Sequence, residues 1–229
     1  INYDKKNKNT IISSQLKSIN TSITDNLKVK LVVDKWIDIM EAQISKIVEK
    51  PYDIIYKTKI PLDGRDTPIR SIQTNLGQLI TTSMAFSYDN KVDCALVNGG
   101  SIRIDDQLVG NINSIDIFRV LPFGGSILKV KMKGSLLKKV LDYGKQSSGT
   151  GAYLQRNNIQ IDNQNFKVNN KEIISSKIYT VAVSDYLMKG LDIPFLNSDH
   201  PGVVSVYQPI KSDLSIDIRK AMITYLKSI

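Results

Sequence analysis

Cysteine, histidine and arginine are scarce in this sequence. Among 229 residues there are one cysteine, one histidine and six arginines. The lone Cys94 excludes an internal disulfide framework and a multi-cysteine zinc site. The lone His200 lies in the turn-like stretch "NSDHPG", so a hydrolytic metal centre built from several converging histidines is excluded. A Ser-His-Asp triad meets the same obstacle, and the nucleophile-elbow pattern G-x-S-x-G is absent. So are the P-loop and the dinucleotide fingerprint. No apolar run approaches the roughly 20 residues of a membrane span, and the opening "INYDKKNKNT" has no signal-peptide core. A chain that opens on Ile1 reads as a processed or excised piece.

What is abundant is lysine. The formal net charge is +9, which raises nucleic acid or an anionic membrane as partners. The lysines are spread along the chain and mixed with acids, so a lysine-rich surface is expected rather than a nucleic-acid footprint. Hydrophobic content of 41% and charged content of 23% are ordinary for a globular protein. The length allows one large domain or two small ones.

Periodicity predicts a long helix from Asp25 to Glu49 through Val33, Trp36, Ile37, Met40, Ile44 and Ile47. Thr24 or Asp25 would cap it and Pro51 would end it. "YDIIYKTKI" alternates as a strand and "PLDGRDTP" reads as a turn-rich loop. A helix starts near Thr74, with Leu76, Leu79, Ile80 and Met84 on one face. "VDCALVN" is a strand, "SIDIFRV" a short helix, "SILKVKM" a strand and "GSLLKKVLDYGKQ" a helix. "SSGTGA" is a flexible loop and "IYTVAVS" another strand. "DLSIDIRKAMITYLKSI" closes the chain as an amphipathic helix. The expected class is α+β, with mixed β-sheets covered by helices.

Residues suited to binding stand out more than any reaction centre. Arg70 precedes a helix, and Arg103 follows the glycine pair of "VNGGSIR", a stretch that is either a tight turn or a place where backbone and guanidinium approach a ligand. Two guanidiniums can grip an anion through charge-assisted hydrogen bonds. Phe123 sits in "LPFGG", where an aromatic is hard to bury by helix or strand periodicity. Tyr186 and Asp192 lie six residues apart in "SDYLMKGLD". Each alone has a bland reading, as packing for the ring and turn chemistry for the aspartate.

Together, "IRSIQTNLGQLI", "DCALVNGGSIR", "VLPFGGSILKVKMKGSLLKKVLDY", "GAYLQ", "YTVAVSDYLMKGLD" and "DIRKAMITYLKSI" resemble, in order and spacing, the C-terminal domain of the 5′-nucleotidase family. The resemblance covers residues 25–229. It implies that residues 1–24 trail from a separate N-terminal metallophosphatase domain, that 25–50 form a bridging helix, and that 51–229 form a nucleotide-binding domain. The two divalent metal ions of the family would lie in that N-terminal domain, which is the partner of this one, and no cofactor is expected within this chain. The parent would dephosphorylate nucleotides, while this chain alone would bind a nucleoside or nucleotide without hydrolysing it. Alternatives are a 2′,3′-cyclic-nucleotide phosphodiesterase, a UDP-sugar hydrolase, or a degenerate interaction or nucleic-acid-binding module. By the same resemblance the location is extracellular, cell-surface or periplasmic.

Residue by residue, Phe123 and Tyr186 match the aromatics that sandwich the base. Asp192 matches the carboxylate that takes the ribose hydroxyls, and Asn98 the contact to the base edge or ribose region. Gly100 lets the backbone come close. Arg70 and Arg103 match the arginines on the ribose and phosphate side. The chain departs from the family pattern in four places. Leu191 stands where the family usually has the second glycine of Gly-Gly-Asp, and Tyr186 where Phe is common. Gln73 stands where a Glu is frequent near Arg70, and "LQRNNIQ" replaces the usual Leu-Gln-Val-Ser-Gly.

Overall fold

The computed structural model describes residues 1–162 and 165–229, which divide into two compact units, Ile1–Gln43 and Ile44–Ile229. The elements in chain order begin with strands β1 (Asn2–Asp4) and β2 (Asn9–Ile11), helix α1 (Leu27–Ile44), strand β3 (Ile54–Asp63), and helices α2 (Asp66–Ile69) and α3 (Asn75–Phe86). Strand β4 (Cys94–Asn98), strand β5 (Gln107–Asn113), helix α4 (Ser114–Val120), strand β6 (Ile127–Lys133) and helix α5 (Gly134–Gln146) follow. The remainder is β7 (Leu154–Asn157), β8 (Ile159–Asp162), β9 (Asn165–Val168), β10 (Lys171–Glu172), β11 (Ile178–Ser184), β12 (Val203–Tyr207) and α6 (Ile218–Leu226).

In the first unit, β1 and β2 form a small antiparallel hairpin. The Asp4 carboxylate accepts from the backbone N–H of Lys6 and Asn7 and so shapes its turn. Helix α1 is shorter than its apolar spacing predicts. Its cap is Asn26 rather than Thr24 or Asp25, with Asn26 Oδ1 accepting from the backbone N–H groups of Lys28 and Val29. It ends at Ile44, well before Pro51. The N–H groups of Ile47 and Val48 both return to the Ile44 carbonyl at 2.9 Å, closing the last turn.

The second unit is built on a mixed five-stranded sheet in the order β12-β6-β11-β4-β7, in which only β11 and β4 run parallel. Alternation along the strands supplies two cores, because successive side chains of a strand leave on opposite faces. On one face Ala95, Val97, Ile127 and Ala182 meet Leu76, Ile80 and Met84 of α3, Ile117 of α4 and Met222 of α6. On the other, Cys94, Leu96, Val130, Val181 and Val183 meet Leu137 and Val140 of α5 and Phe166 of β9. Strand β4 is buried at all five positions, as a central strand covered on both faces must be. Cys94 lies at its start, fully buried, and burial pushes its thiol pKa far up.

The expected α+β class is what forms. The helices α3, α4 and α5 and the strand β11 occupy the segments read from the sequence. The loop reading of "PLDGRDTP" needs correction, since Pro61, Leu62 and Asp63 continue β3 and Asp66–Ile69 forms a short helix. The closing helix also starts late. Leu214–Ile216 is a separate 3-10 turn, and the Asp217 carboxylate then caps α6 by accepting from Arg219 N.

Candidate functional site

Because β4 and β11 are parallel neighbours, their carboxyl ends, Asn98 and Ser184, emerge at the same edge of the sheet. The antiparallel β6 begins there, with Ile127 opposite Ser184, and the antiparallel β7 begins there, with Leu154 opposite Asn98. Four loops therefore meet at one end: 98–103, 121–126, 147–153 and 184–192. Between these loops lies a cavity of about 440 Å³.

The Asn-Gly-Gly loop is pinned by its backbone. Gly99 N donates to the Tyr153 carbonyl at 2.7 Å and Gly100 N to the Gly151 carbonyl at 2.9 Å. A Cβ on Gly100 would sit 3.1 Å from the Gly151 Cα, a tight contact, so the absence of side chains at both positions favours this close approach of the two segments. Arg103 N donates to the Val120 carbonyl, which carries the loop to the end of α4. Leu121, Phe123, Gly124 and Gly125 follow α4 and border the cavity. Gly125 has φ +97, a backbone conformation that L side chains rarely adopt, and an added Cβ would lie 2.6 Å from Asp185 Oδ1. Arg219 of α6 packs behind this turn, paired with Asp217 through two bonds of 3.0 and 2.6 Å and stacked over Phe118.

Arg70 reaches the cavity from the segment between α2 and α3, and Gln155 of β7 ties that segment down. Gln155 is fully buried and uses both ends of its amide, accepting from Thr74 N and donating to the carbonyls of Ile69 and Ile72. Arg70 Nε donates to Asp66 Oδ1 at 2.7 Å. The orienting carboxylate that Gln73 cannot supply thus comes from one helical turn earlier. Gln73 serves β7 instead, its Oε1 accepting from Arg156 N.

All seven residues singled out from the sequence, Arg70, Asn98, Gly100, Arg103, Phe123, Tyr186 and Asp192, border this single cavity. Asp192 accepts from Asn98 Nδ2 at 2.7 Å on one oxygen and from the Tyr186 hydroxyl at 3.2 Å on the other. Ser101 Oγ donates to Asn98 Oδ1 at 2.6 Å, which sets the amide's orientation. Burial is the main cause that raises the Tyr186 phenol above its ordinary value, with the Asp192 charge adding to it and Arg103 opposing it. The Arg103 guanidinium lies over the Phe123 ring, 5.5 Å from its centroid.

Leu191 does not disturb this arrangement. The left-handed position of the turn is Gly190, at φ +70, while Leu191 lies outside that region and is 64% exposed. Asp185, Lys189, Ser101 and Ser184 also border the cavity and were not singled out from the sequence. The spacing of Asp185 and Lys189 on either side of Tyr186 was the available signal, since one turn of local structure brings their charged ends within 3.8 Å. His200 stands apart from the site, its Nδ1 accepting from Gly202 N within its own turn. Among the described residues no cluster of three or more His, Cys, Asp or Glu could hold a metal ion. No helix among them is long and apolar enough to cross a membrane.

Comparison with known proteins gives the family. Residues 54–197 match the family model described as 5′-nucleotidase, C-terminal domain. The human 5′-nucleotidase is 31% identical over 175 residues, which is 70% of this chain and 29% of that protein. A 5′-nucleotidase of Vibrio cholerae is 33% identical over 153 residues, 63% of this chain and 27% of the relative. The chain thus spans less than a third of the length of these curated relatives. Among solved structures, the 5′-nucleotidase precursor of Thermus thermophilus superposes with a TM-score of 0.67 at 22% identity, covering 85% of this chain and 40% of that one. The NAD nucleotidase of Haemophilus influenzae gives 0.62 at 21% identity, over 85% and 38%. At those identities the structures speak for the fold, and the family match over more than half of the sequence settles descent. The chain belongs to the 5′-nucleotidase C-terminal domain family.

Proposed function

We propose that this chain holds the nucleoside end of a 5′-nucleotide for a phosphohydrolase whose dinuclear metal centre lies in another part of the same protein. The observation that carries this reading is the convergence of seven residues from four separate segments on one cavity of about 440 Å³. That volume falls in the range of small-molecule sites, about 300–1,000 Å³. Phe123 and Tyr186 offer ring faces to a base, and stacking of this kind tolerates different bases. Asp192 accepts hydrogen bonds from the ribose hydroxyls. Arg70 and Arg103 supply charge-assisted donors toward the phosphate end.

Among the described residues no donor set fits a dinuclear metal centre, and on this reading the chain's contribution is to bind and orient the substrate. Holding an ester against a nucleophile generated elsewhere converts a bimolecular encounter into a positioned one, which is a large part of many enzymatic accelerations. The parent would be a 5′-nucleotidase-type phosphoric monoester hydrolase, and this chain alone binds without turnover. An extracellular, cell-surface or periplasmic setting accords with the venom protein among the relatives. The test is titration calorimetry of the 229-residue chain with adenosine, AMP and a panel of other nucleosides. Binding is expected, with no phosphate released from AMP. Silence across the panel at millimolar ligand would refute the reading.

A further inference from the structure

We infer that Asn98 and the Tyr186 hydroxyl are positioning groups that aim the Asp192 carboxylate, so that the site selects a ligand with a vicinal diol over its 2′-deoxy counterpart. The inference rests on the proposed function and goes beyond it in assigning what these two polar groups do. Asn98 is 2% exposed and its amide is engaged at both ends, with Ser101 on the oxygen and Asp192 on the nitrogen. An amide so occupied is poorly placed to read a base edge and well placed to hold a neighbour.

Each oxygen of Asp192 receives one donor from the protein, Asn98 on one and Tyr186 on the other. A carboxylate oxygen can accept more than one hydrogen bond, so each keeps capacity for a ligand hydroxyl. Donors on both oxygens fix the carboxylate plane before a ligand arrives, and a preoriented group gives up less freedom on binding. The Tyr186 phenol remains a donor at neutral pH, since burial and the adjacent Asp192 both raise it above its ordinary value. The bond from its hydroxyl also couples two functions. A residue that stacks on the base is tied to the residue that grips the sugar, so the ring plane and the carboxylate plane are set together. A phenylalanine at position 186 would keep the first function and lose the second.

The experiment is calorimetry of the 229-residue chain with adenosine, 2′-deoxyadenosine and adenine, on the wild type, Tyr186→Phe and Asn98→Ala. The wild type is expected to prefer adenosine over 2′-deoxyadenosine by roughly tenfold, as a site that pairs with a hydroxyl rejects the analogue lacking it. Either variant is expected to cut that preference about threefold or more, on the scale of one weakened hydrogen bond to a charged group. Tyr186→Phe retains the ring, so the test stands even if Asn98→Ala fails to fold. An unchanged preference in Tyr186→Phe, or equal weakening of all three ligands, overturns this inference and leaves the proposed function intact. Failure of the wild type to bind any of the three overturns both.

Discussion

The two walls of the cavity are built differently. On one wall, Asn98, Ser101, Asp192 and Tyr186 are joined by three side-chain hydrogen bonds, and the loop beneath them is clamped to the 151–153 backbone. On the other, Phe123 is 70% exposed and its visible partner is a guanidinium 5.5 Å above the ring. The first wall has its polar groups satisfied before any ligand binds. The second presents an apolar ring and a cation to solvent. The difference teaches that geometry is invested in the wall of polar groups, where hydrogen-bond directions matter. The other wall offers an exposed ring, and stacking has little directional demand.

The strongest way to break the comparison is from below. Gln155→Ala removes the amide that satisfies Thr74 N and the carbonyls of Ile69 and Ile72. Leaving those groups unpaired in a buried site should cost about 3 kcal/mol of stability. In a domain of this size that is a fall in Tm of roughly 6–12 °C, read by calorimetric melting. Next, Asp192→Ala should weaken adenosine binding about thirtyfold, or roughly 2 kcal/mol, and leave adenine nearly unaffected. A similar loss for both would show that the carboxylate supports the loop rather than the sugar.

On the open wall, Phe123→Ala should weaken nucleosides and free base alike by about 1–2 kcal/mol. Its Tm should stay within a degree or two of wild type, because an exposed ring contributes little to the core. A large drop in Tm would erase the contrast between the walls. The smallest effect concerns pH. With the Tyr186 phenol raised in the folded state, its proton is retained through neutrality. The associated stability is fully present below the phenol's ordinary value near 10 and is lost as pH rises through the raised value. The adenosine-to-deoxyadenosine preference should therefore be flat between about pH 6 and 9 and decline only above about pH 10. In Tyr186→Phe the alkaline decline should be absent.

The helices were legible where one apolar stripe decided the structure, as in α3, α4 and α5. Strands β5 and β12 went unread. "QLVGNIN" is interrupted by Gly110 at φ +73, and "VVSVY" lies at the sheet edge with all five of its residues partly or fully exposed, so neither shows clean alternation. The break before α6 was hidden because Leu214 and Ile216 continue the apolar spacing through a 3-10 turn. At the site, the residue types were legible but their partners were not. Asp66 stands four residues before Arg70, a spacing that could have been used. That Asn98 would meet Asp192, 94 positions away, depends on the parallel pairing of β4 with β11, which no local pattern announces. Leu191 replaces the second glycine of the family pattern, but that position is not the one that needs the left-handed backbone conformation. Gly190 carries it.

Cys94, sealed inside the central strand with its ionisation suppressed, makes the native chain nearly silent toward maleimides and iodoacetamides. A Lys189→Cys substitution at the rim would therefore accept a fluorophore at one defined place, without first removing the natural sulfur. Ligand entry between the two walls could then be followed by light, one molecule at a time.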